Sequence, residues 1–254
     1  MISLELQAIY VMWMRQLKRF VRVRSRLIAN LVQPFFFLAF LGLGLRPISL
    51  PGLVEGVSYL DFLAPGMVAM SIVFASMFAG VSIIWDRQFG FLKEILVAPV
   101  SRLSIVVGRT LGGATVSIIQ GLIILAISTL LGVRLSPAGL IPGIFFMILA
   151  AFFSVGLGIA LASRMEDPHG FSLIMNLIMM PAIFLSTAFF PLESMAAWLR
   201  ILAYANPLTY IVDGIRGCLI GRFSISPLAD LAVLLSLCTI TMAAGAYLFS
   251  RSEV

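Results

Sequence analysis

The sequence predicts an all-α integral membrane protein with six transmembrane helices, and three observations support that fold class. Hydrophobic residues make up 61% of the 254 residues, whereas charged residues make up only 11%. The mean hydropathy is +1.11. A soluble domain is about 45–50% apolar and about 25% charged, so this chain has too much apolar surface to bury in water. The apolar residues also occur in long runs, which we interpret as a single domain of membrane spans.

Six runs are long enough to cross a hydrocarbon core of about 30 Å, which requires roughly 20 helical residues. Lipid cannot form hydrogen bonds with exposed backbone groups, and these runs are far too long for the strands of a membrane barrel, so we predict helices. The predicted spans are residues 27–45, 64–85, 110–131, 141–163, 171–190 and 228–250.

The basic residues indicate how the spans are oriented. The 17 lysines and arginines give a net charge of +6. They gather at the ends of the apolar runs instead of forming a patch on a globular domain, which argues against a nucleic-acid partner. Most lie in the N-terminal stretch, in residues 86–109, and near Arg164 and Arg251. We therefore expect both termini to be cytoplasmic. We do not expect a cleaved signal peptide, because the basic region is too long and no cleavage site follows Leu45.

Residues 1–26 are predicted to form an amphipathic helix in the membrane interface. Apolar side chains at helical spacing share one face, and basic side chains share the other. The basic face is expected to meet anionic lipid headgroups, and an indole suits the headgroup level. The helix is either a positively charged anchor alone or an anchor that also contacts a partner. The residues expected to act here are Trp13, Arg15, Arg19 and Arg22.

The connection formed by residues 86–102 is the most informative segment between the spans. Reversing the chain direction would need far fewer residues. Residues 88–97 are predicted to form a short helix before Pro99, with Leu92, Ile95 and Leu96 along a narrow apolar edge. Such a helix suits docking, because apolar side chains enter a partner's groove and flanking charges fix the register. The alternative is a helix that rests on lipid headgroups. The residues expected to carry docking are Asp86, Arg87, Gly90, Leu92, Lys93, Glu94, Pro99, Ser101 and Arg102.

Residues 191–227 form a long connection on the opposite side of the membrane. This segment is too apolar for a solvated loop, and it is broken too often by proline and glycine to span. Short re-entrant or interfacial helices fit best, and re-entrant backbone is tolerated where protein buries it or where it lines a cavity. We expect an outer gate, with a cap resting on lipid as the alternative. The expected gate residues are Pro191, Trp198, Asn206, Pro207, Tyr210, Asp213 and Arg216.

Motifs for enzyme chemistry are absent from the sequence. It contains no GxxxxGK[ST] phosphate-binding loop, no HExxH and no GxSxG, so ATPase, metalloprotease and serine hydrolase sites are not indicated. Cys218 and Cys238 lack the spacing of a metal site, and His169 is a lone loop histidine. We therefore predict a protein that is not an enzyme and that needs no metal or cofactor.

The polar residues deep in the predicted spans are neutral, and they include Gln33, Gln120 and Asn176. Transporters driven by proton or sodium gradients usually carry ionisable groups in mid-membrane. Energy for transport is therefore expected to come from a partner protein. Two alternatives remain open, namely an ATP-independent secondary transporter or channel, and a membrane scaffold that transports nothing.

Two stretches of the chain resemble the ABC-2 type transporter permease family, and within it the daunorubicin-resistance-like export permeases. The first comprises Asp86-Arg-Gln-Phe-Gly-Phe-Leu-Lys-Glu94, Ala98-Pro-Val-Ser-Arg102 and Gly108-Arg-Thr-Leu-Gly112. The second comprises Asn206-Pro-Leu-Thr-Tyr210 and Asp213-Gly-Ile-Arg216. Length and the predicted six-span layout also agree, so the resemblance covers nearly the whole chain.

The resemblance implies a permease dimer in the inner cell membrane, bound to two copies of a separate ABC ATPase subunit. The dimer would be a homodimer or a pair of related permeases, surrounded by membrane lipid. Residues 86–102 would be the coupling helix, and the N-terminal helix would pack near the ATPase. The exported substrate would be a hydrophobic, drug-like small molecule, a lipid or a lipid-linked glycan.

Overall fold

The computed structural model describes residues 2–45 and 57–251. Within these two ranges the chain is helical and contains no β-strand, which confirms the all-α prediction. A π-helical stretch, Phe37–Gly42, continues α2, and 3-10 turns lie at Pro137–Gly139 and Leu192–Ser194. The α-helices are α1 (Ile2–Arg22), α2 (Arg24–Phe36), α3 (Tyr59–Ala79), α4 (Val81–Gln88), α5 (Phe91–Val97), α6 (Arg102–Leu130), α7 (Leu140–Ala162), α8 (Pro168–Phe184), α9 (Ala197–Ala205), α10 (Pro207–Ile220) and α11 (Pro227–Ser250).

Helix α3 lies at the centre of the bundle and is buried along almost its whole length. A capping box fixes its start, because the Ser58 hydroxyl accepts the backbone N–H of Asp61 and the Asp61 carboxylate accepts that of Ser58. Helix α3 packs against α6, α7 and α10, while α11 packs mainly on α7. A Cβ at Gly156 of α7 would lie 2.9 Å from the Met242 nitrogen of α11, so glycine permits this close approach.

Four segments within the described ranges are long and apolar enough to cross a membrane by themselves. They are Tyr59–Gln88, Arg102–Leu130, Pro137–Ala162 and Pro227–Ser250, and each overlaps a predicted span. Two further apolar helices, Asn30–Gly42 and Pro168–Phe184, are shorter. These helices indicate a multi-pass membrane protein. The count of six spans and the cytoplasmic placement of both termini stay predictions.

Two of the long helices begin before the predicted spans, because polar side chains cap their starts. The helix that contains predicted span 110–131 begins at Arg102, where the Ser101 hydroxyl accepts the Ser104 backbone N–H. The helix of predicted span 64–85 begins at Tyr59, after the Ser58 capping box. The segment expected to be helical at 88–97 is α5, which begins only at Phe91.

The helix of predicted span 171–190 ends early, at Phe184. At 1.5 Å per residue its length is about 26 Å, which is shorter than a hydrocarbon core of about 30 Å. The next residues are held from outside the helix, since the Tyr59 hydroxyl donates to the Phe189 carbonyl and Arg216 donates to the Thr187 carbonyl. Non-helical backbone is tolerated at membrane depth where protein satisfies its polar groups in this way.

Helix α1 packs along α6, and it is not the continuous helix expected for residues 1–26. Val23 has non-helical backbone and separates α1 from α2. A Cβ at Gly108 would lie 2.7 Å from the Ile9 carbonyl oxygen, so small residues in α6 allow the two helices to touch. Leu6 and Val21, also on α1, are exposed. Part of the surface of α1 therefore packs against the bundle, and other side chains of the helix remain exposed.

The distribution of basic residues predicts that certain segments lie on one side of the membrane. In the structure, hydrogen bonds connect these segments to one another at one end of the bundle. These segments are the start of α1, residues 86–102, the connection at 163–166 and the end of α11. At the opposite end, Asp61 accepts the backbone N–H of Arg134, and Ser136 donates to the Leu219 carbonyl. Which membrane face each end meets stays a prediction.

Candidate functional site

Three charged side chains from three helices meet where α4 ends. The Asp86 carboxylate accepts from Arg15 of α1 at 2.5 and 3.0 Å and from Arg109 of α6 at 2.6 Å. The side chains of Asp86 and Arg109 are 5% and 3% exposed, and that of Arg15 is 34% exposed. One carboxylate thus links α1, α4 and α6, and we call Arg15, Asp86 and Arg109 the charge triad.

The sequence places Asp86 at this junction through the break between α3 and α4. Gly80 lies at the break, where a Cβ would approach the Gly158 carbonyl oxygen to 2.3 Å, so α7 crosses very close to it. Ser82, one turn before Asp86, accepts from Gln16 of α1 at 3.2 Å. Because both residues lie on the same face of α4, the helix presents a polar face to α1.

Arg15 also connects the charge triad to α5. Its guanidinium carbon lies 4.4 Å from the centre of the Phe91 ring, a cation–π distance. Phe91 is the first residue of α5, which follows the turn at Gly90. Gly90 has φ +73°, a left-handed conformation that glycine adopts without steric cost. The position of α5 is therefore linked to α1 through one arginine.

A second link joins α1 to the start of α6. The Glu5 carboxylate accepts the Ser101 backbone N–H at 3.0 Å and the Ser101 hydroxyl at 2.9 Å. Hydrogen bonds from the Ser104 and Ser101 side chains hold the pKa of Glu5 below its ordinary value, because they favour the ionised carboxylate. Helix α1 is thus bound both to Asp86, which precedes α5 in the chain, and to Ser101, which follows it.

Three predicted docking residues make contacts within the chain, two of them with backbone carbonyls of other segments. Arg87 donates to the carbonyls of Met165 at 3.1 Å and Ser163 at 3.3 Å. Arg102 donates to the Ser250 carbonyl at the end of α11. Asp86 is buried in the charge triad. These residues therefore hold the 86–102 connection to the bundle, and their direct contact with a partner stays a prediction.

The outward surface of the connection is formed by other side chains. Phe91 and Val97 are 40% and 85% exposed, and Glu94 and Pro99 are exposed beside them. Ile95, expected on the docking edge, is half-buried and packs against the core. The side chains of Leu92, Lys93 and Leu96 lie outside the described residues. We call Phe91, Glu94, Val97 and Pro99 the exposed face of α5.

The residues predicted for the interfacial helix have unequal environments. Trp13 donates its indole N–H to the Thr115 hydroxyl of α6 at 3.1 Å, so its polar edge faces the bundle and not the lipid headgroups. Arg15 belongs to the charge triad. Arg19 is half-buried and Arg22 is exposed.

At the other end, predicted gate residues tie the short helices to the bundle. Asn206 caps α10 by accepting the Leu208 backbone N–H and donates to the Ala182 carbonyl of α8. Asp213 accepts the backbone N–H groups of Ser224 and Ile225. The Asn206 amide and the Asp213 carboxylate thus form hydrogen bonds with backbone groups that have no partner within a helix.

Arg216 is the most enclosed of these residues. It is 3% exposed, and it donates to the carbonyls of Phe62 at 3.1 Å and Thr187 at 2.7 Å. Its guanidinium also lies 3.7 Å from the centre of the Phe62 ring. Arg216 therefore joins α3, α10 and the non-helical segment after α8.

The remaining predicted gate residues are Pro191, Pro207, Tyr210 and Trp198. Pro191 precedes the 3-10 turn, and Pro207 is the first residue of α10. The Tyr210 hydroxyl donates to the Tyr204 carbonyl at 2.7 Å. Trp198 is 66% exposed on α9, so it faces the surroundings and lies apart from the buried cluster.

Sequence reasoning missed three residues of the site. Arg109 was present in a motif but had no assigned role, although a lone arginine among small residues at the start of an apolar run indicates a buried acidic partner. Glu5 and Phe91 gave no local signal, because their partners lie far away in the sequence.

Comparison with known proteins places this geometry in a family. Residues 7–220 match the family model described as ABC-2 type transporter. A protein of Cyanophora paradoxa named transport permease ycf38 is 32% identical over 215 residues, which cover 83% of this chain and 73% of that protein. A Mycobacterium tuberculosis protein (strain H37Rv) named doxorubicin resistance ABC transporter permease protein DrrC is 27% identical over 241 residues, covering 91% of this chain and 85% of that protein.

A third relative, named multidrug ABC transporter permease YbhR, comes from Escherichia coli (strain K12). It is 26% identical over 200 residues, which cover 78% of this chain and 54% of that protein. The family match spans most of the chain and includes both stretches that carried the resemblance. The chain belongs to the ABC-2 type transporter family and is an ABC transporter permease.

Proposed function

We propose that the chain is the permease subunit of an ABC exporter and that energy from a separate ATPase subunit enters through the exposed face of α5. The observation that carries this proposal is the link from Phe91 through Arg15 to Asp86 and Arg109. A force applied to α5 would reach α1 through Arg15, and it would reach α6 through Asp86 and Arg109.

The proposed mechanism is a switch between two packing states. Closure of two ATPase subunits displaces α5 about the turn at Gly90, and the charge triad transmits the displacement to α1, α3–α4 and α6. Arg87 carries the same motion to residues 163–166, which precede α8. The path, formed between two permease copies, changes from inward to outward access because ATP binding favours one of two pre-existing states.

We propose that the cargo is a hydrophobic, drug-like small molecule, a lipid or a lipid-linked glycan. The names of two relatives, one for doxorubicin resistance and one for multidrug transport, support this class. The six-span layout, the homodimer or permease pair, the inner-membrane location and the outer gate at residues 191–216 belong to the same proposal. Opening of the gate would release the contacts that Asn206 and Arg216 make with α8 and its extension.

The coupling assignment can be tested by changing the exposed face of α5. Glu94→Lys and Val97→Asp each alter an exposed side chain, and neither residue belongs to the charge triad. We expect both variants to insert into the membrane normally but to co-purify less ATPase subunit than the wild type. Arg222→Glu, an exposed charge reversal after α10, is the control and should keep normal co-purification.

Unchanged ATPase co-purification by both α5 variants would overturn the assignment of this face. Transport itself requires a separate assay in liposomes that contain permease and ATPase. Flux driven by an ion gradient after removal of the ATPase would favour the secondary-transporter alternative. ATP turnover that responds to no candidate cargo, with no flux, would favour the scaffold alternative.

A further inference from the structure

A groove of about 770 Å³ lies between α1 and α4, beside the charge triad. One wall carries the basic side chains of Lys18, Arg19 and Arg22, together with Arg15. The opposite wall carries Trp85 and Phe89 of α4, whose rings stack with centroids 5.6 Å apart. The groove therefore combines a strongly basic wall with an aromatic wall.

The charges in this groove are not balanced from within it. Asp86 is the one acidic side chain that lines the groove among the described residues, and Arg15 and Arg109 already form ion pairs with it. Lys18, Arg19 and Arg22 consequently give the groove a net positive charge. A basic cavity with low-dielectric walls concentrates anions.

The rim of the groove is apolar as well as basic. Tyr10 and Val11 of α1 are 56% and 58% exposed, Val23 is 42% exposed, and Phe89 is 76% exposed. These side chains lie where the long apolar segment Tyr59–Gln88 ends. Exposed apolar side chains at the end of a membrane helix suit contact with acyl chains, and aromatic rings suit the headgroup level.

From this combination we infer that the groove between α1 and α4 binds an anionic phospholipid. Its phosphate lies against Lys18, Arg19 and Arg22, and its acyl chains leave along Tyr10, Val11 and Phe89. Basic side chains close to a membrane surface attract anionic lipids, whereas a zwitterionic headgroup gains little net charge attraction. The bound lipid would pack beside the charge triad and so support the position of α1. This inference does not depend on the transported cargo.

The test uses Trp85 as a reporter inside the groove. The chain contains three tryptophans, so the double variant Trp13→Phe, Trp198→Phe leaves Trp85 alone. The full-length protein is placed in phosphatidylcholine nanodiscs that contain the same fraction of brominated phosphatidylglycerol or of brominated phosphatidylcholine. Bromine quenches tryptophan only at close range, so we expect stronger quenching by the brominated phosphatidylglycerol.

Charge variants in the same background locate the binding site. Lys18→Gln and Arg22→Gln should each weaken the preference for phosphatidylglycerol by about fivefold, the ratio that corresponds to about 1 kcal/mol per surface charge. Arg164→Gln removes an exposed basic residue at the same end of the bundle but outside the groove. It should leave the preference unchanged. Thermal unfolding of each variant establishes that it remains folded.

Four results would overturn the inference. The first is equal quenching by the two lipids, and the second is an equal loss of preference in all three charge variants, which would indicate general surface charge. The third is abolition of the preference by inorganic phosphate, which would show a site for free phosphate. The fourth is loss of quenching when an ATPase subunit binds, which would show that the partner covers the groove.

Discussion

Arg15 and Asp86 lie 71 residues apart in the sequence, and their side chains form two hydrogen bonds, at 2.5 and 3.0 Å. This contact joins the amphipathic helix α1 to the end of the central membrane helix pair, α3 and α4. Asp86 also accepts from the buried Arg109, so a single carboxylate compensates two guanidinium groups.

Asp86→Asn should destabilise the protein much more than Arg15→Gln. Removal of the carboxylate leaves Arg109 charged and buried without its acidic partner, which typically costs about 3–5 kcal/mol. Arg15→Gln removes only the partly exposed ion pair and leaves Asp86 paired with Arg109, so a cost of about 1 kcal/mol or less is expected. Thermal unfolding in detergent measures both, with exposed Glu94→Gln as the control. Equal destabilisation by the two variants would show that Asp86 does not serve Arg109.

Gly108→Leu should displace α1 from α6. A Cβ at this position would lie 2.7 Å from both the Ile9 carbonyl oxygen and the Met12 Cβ, so the larger side chain forces the helices apart. Overpacking of this kind typically costs about 1–3 kcal/mol. Labelling of a cysteine introduced at Met12, which is 7% exposed, should become faster in this background.

Gly44→Leu is the matched control, because nothing lies within 4 Å of a Cβ at Gly44. Unchanged labelling at position 12 in the Gly108→Leu background would mean that close packing of α1 on α6 does not depend on that glycine.

The contact between Glu5 and Ser101 should weaken in acid. The folded-state pKa of Glu5 lies below its ordinary value of 4.5, because Ser104 and Ser101 donate hydrogen bonds to the carboxylate. A lowered folded pKa means that the contribution to stability is complete above the unfolded pKa and is lost as pH falls through the folded pKa. Protection of the Ser101 amide against hydrogen exchange, measured relative to its intrinsic rate, should therefore fall below about pH 4.5. Glu5→Gln should remove this pH dependence, and a variant that retained it would assign the effect to another group.

Arg216→Lys should weaken the end of the bundle opposite the charge triad although it keeps the positive charge. A lysine lacks the planar fork with which Arg216 reaches both the Phe62 and Thr187 carbonyls. A buried carbonyl left without a partner costs about 1–3 kcal/mol. The unfolding temperature should fall, and protease cleavage after α8 should increase. Arg222→Lys is the control, since Arg222 is exposed. Wild-type stability and cleavage in Arg216→Lys would show that charge alone suffices here.

The contact between Phe91 and Arg15 should be needed for coupling between ATP hydrolysis and transport. Phe91→Ala removes the ring that stacks on Arg15 but leaves the ion pair between Arg15 and Asp86 in place. We expect transport per ATP hydrolysed by the bound ATPase to fall, because motion of α5 no longer reaches α1. The measurement is the ratio of transport to ATP hydrolysis in liposomes. An unchanged ratio would exclude Phe91 from the path.

Local patterns determined the helical class and the positions of the long apolar segments. Membrane helices satisfy their own backbone, so the length and hydropathy of a segment are sufficient to predict them. Sequence patterns also predicted a helix within residues 88–97, and α5 occupies Phe91–Val97. Helix ends were less accurate, because the side chains that cap them include Ser58 and Ser101, which lie outside the apolar runs.

The sequence by itself determined that this chain is a helical membrane protein with a helix inside its 86–102 connection. Only the tertiary structure decided that Asp86 and Arg102 hold this connection to the bundle and that Phe91 and Val97 form its exposed face. The physical reason is that helix formation in lipid depends on neighbouring residues, whereas ion pairs and ring contacts depend on which helices come together.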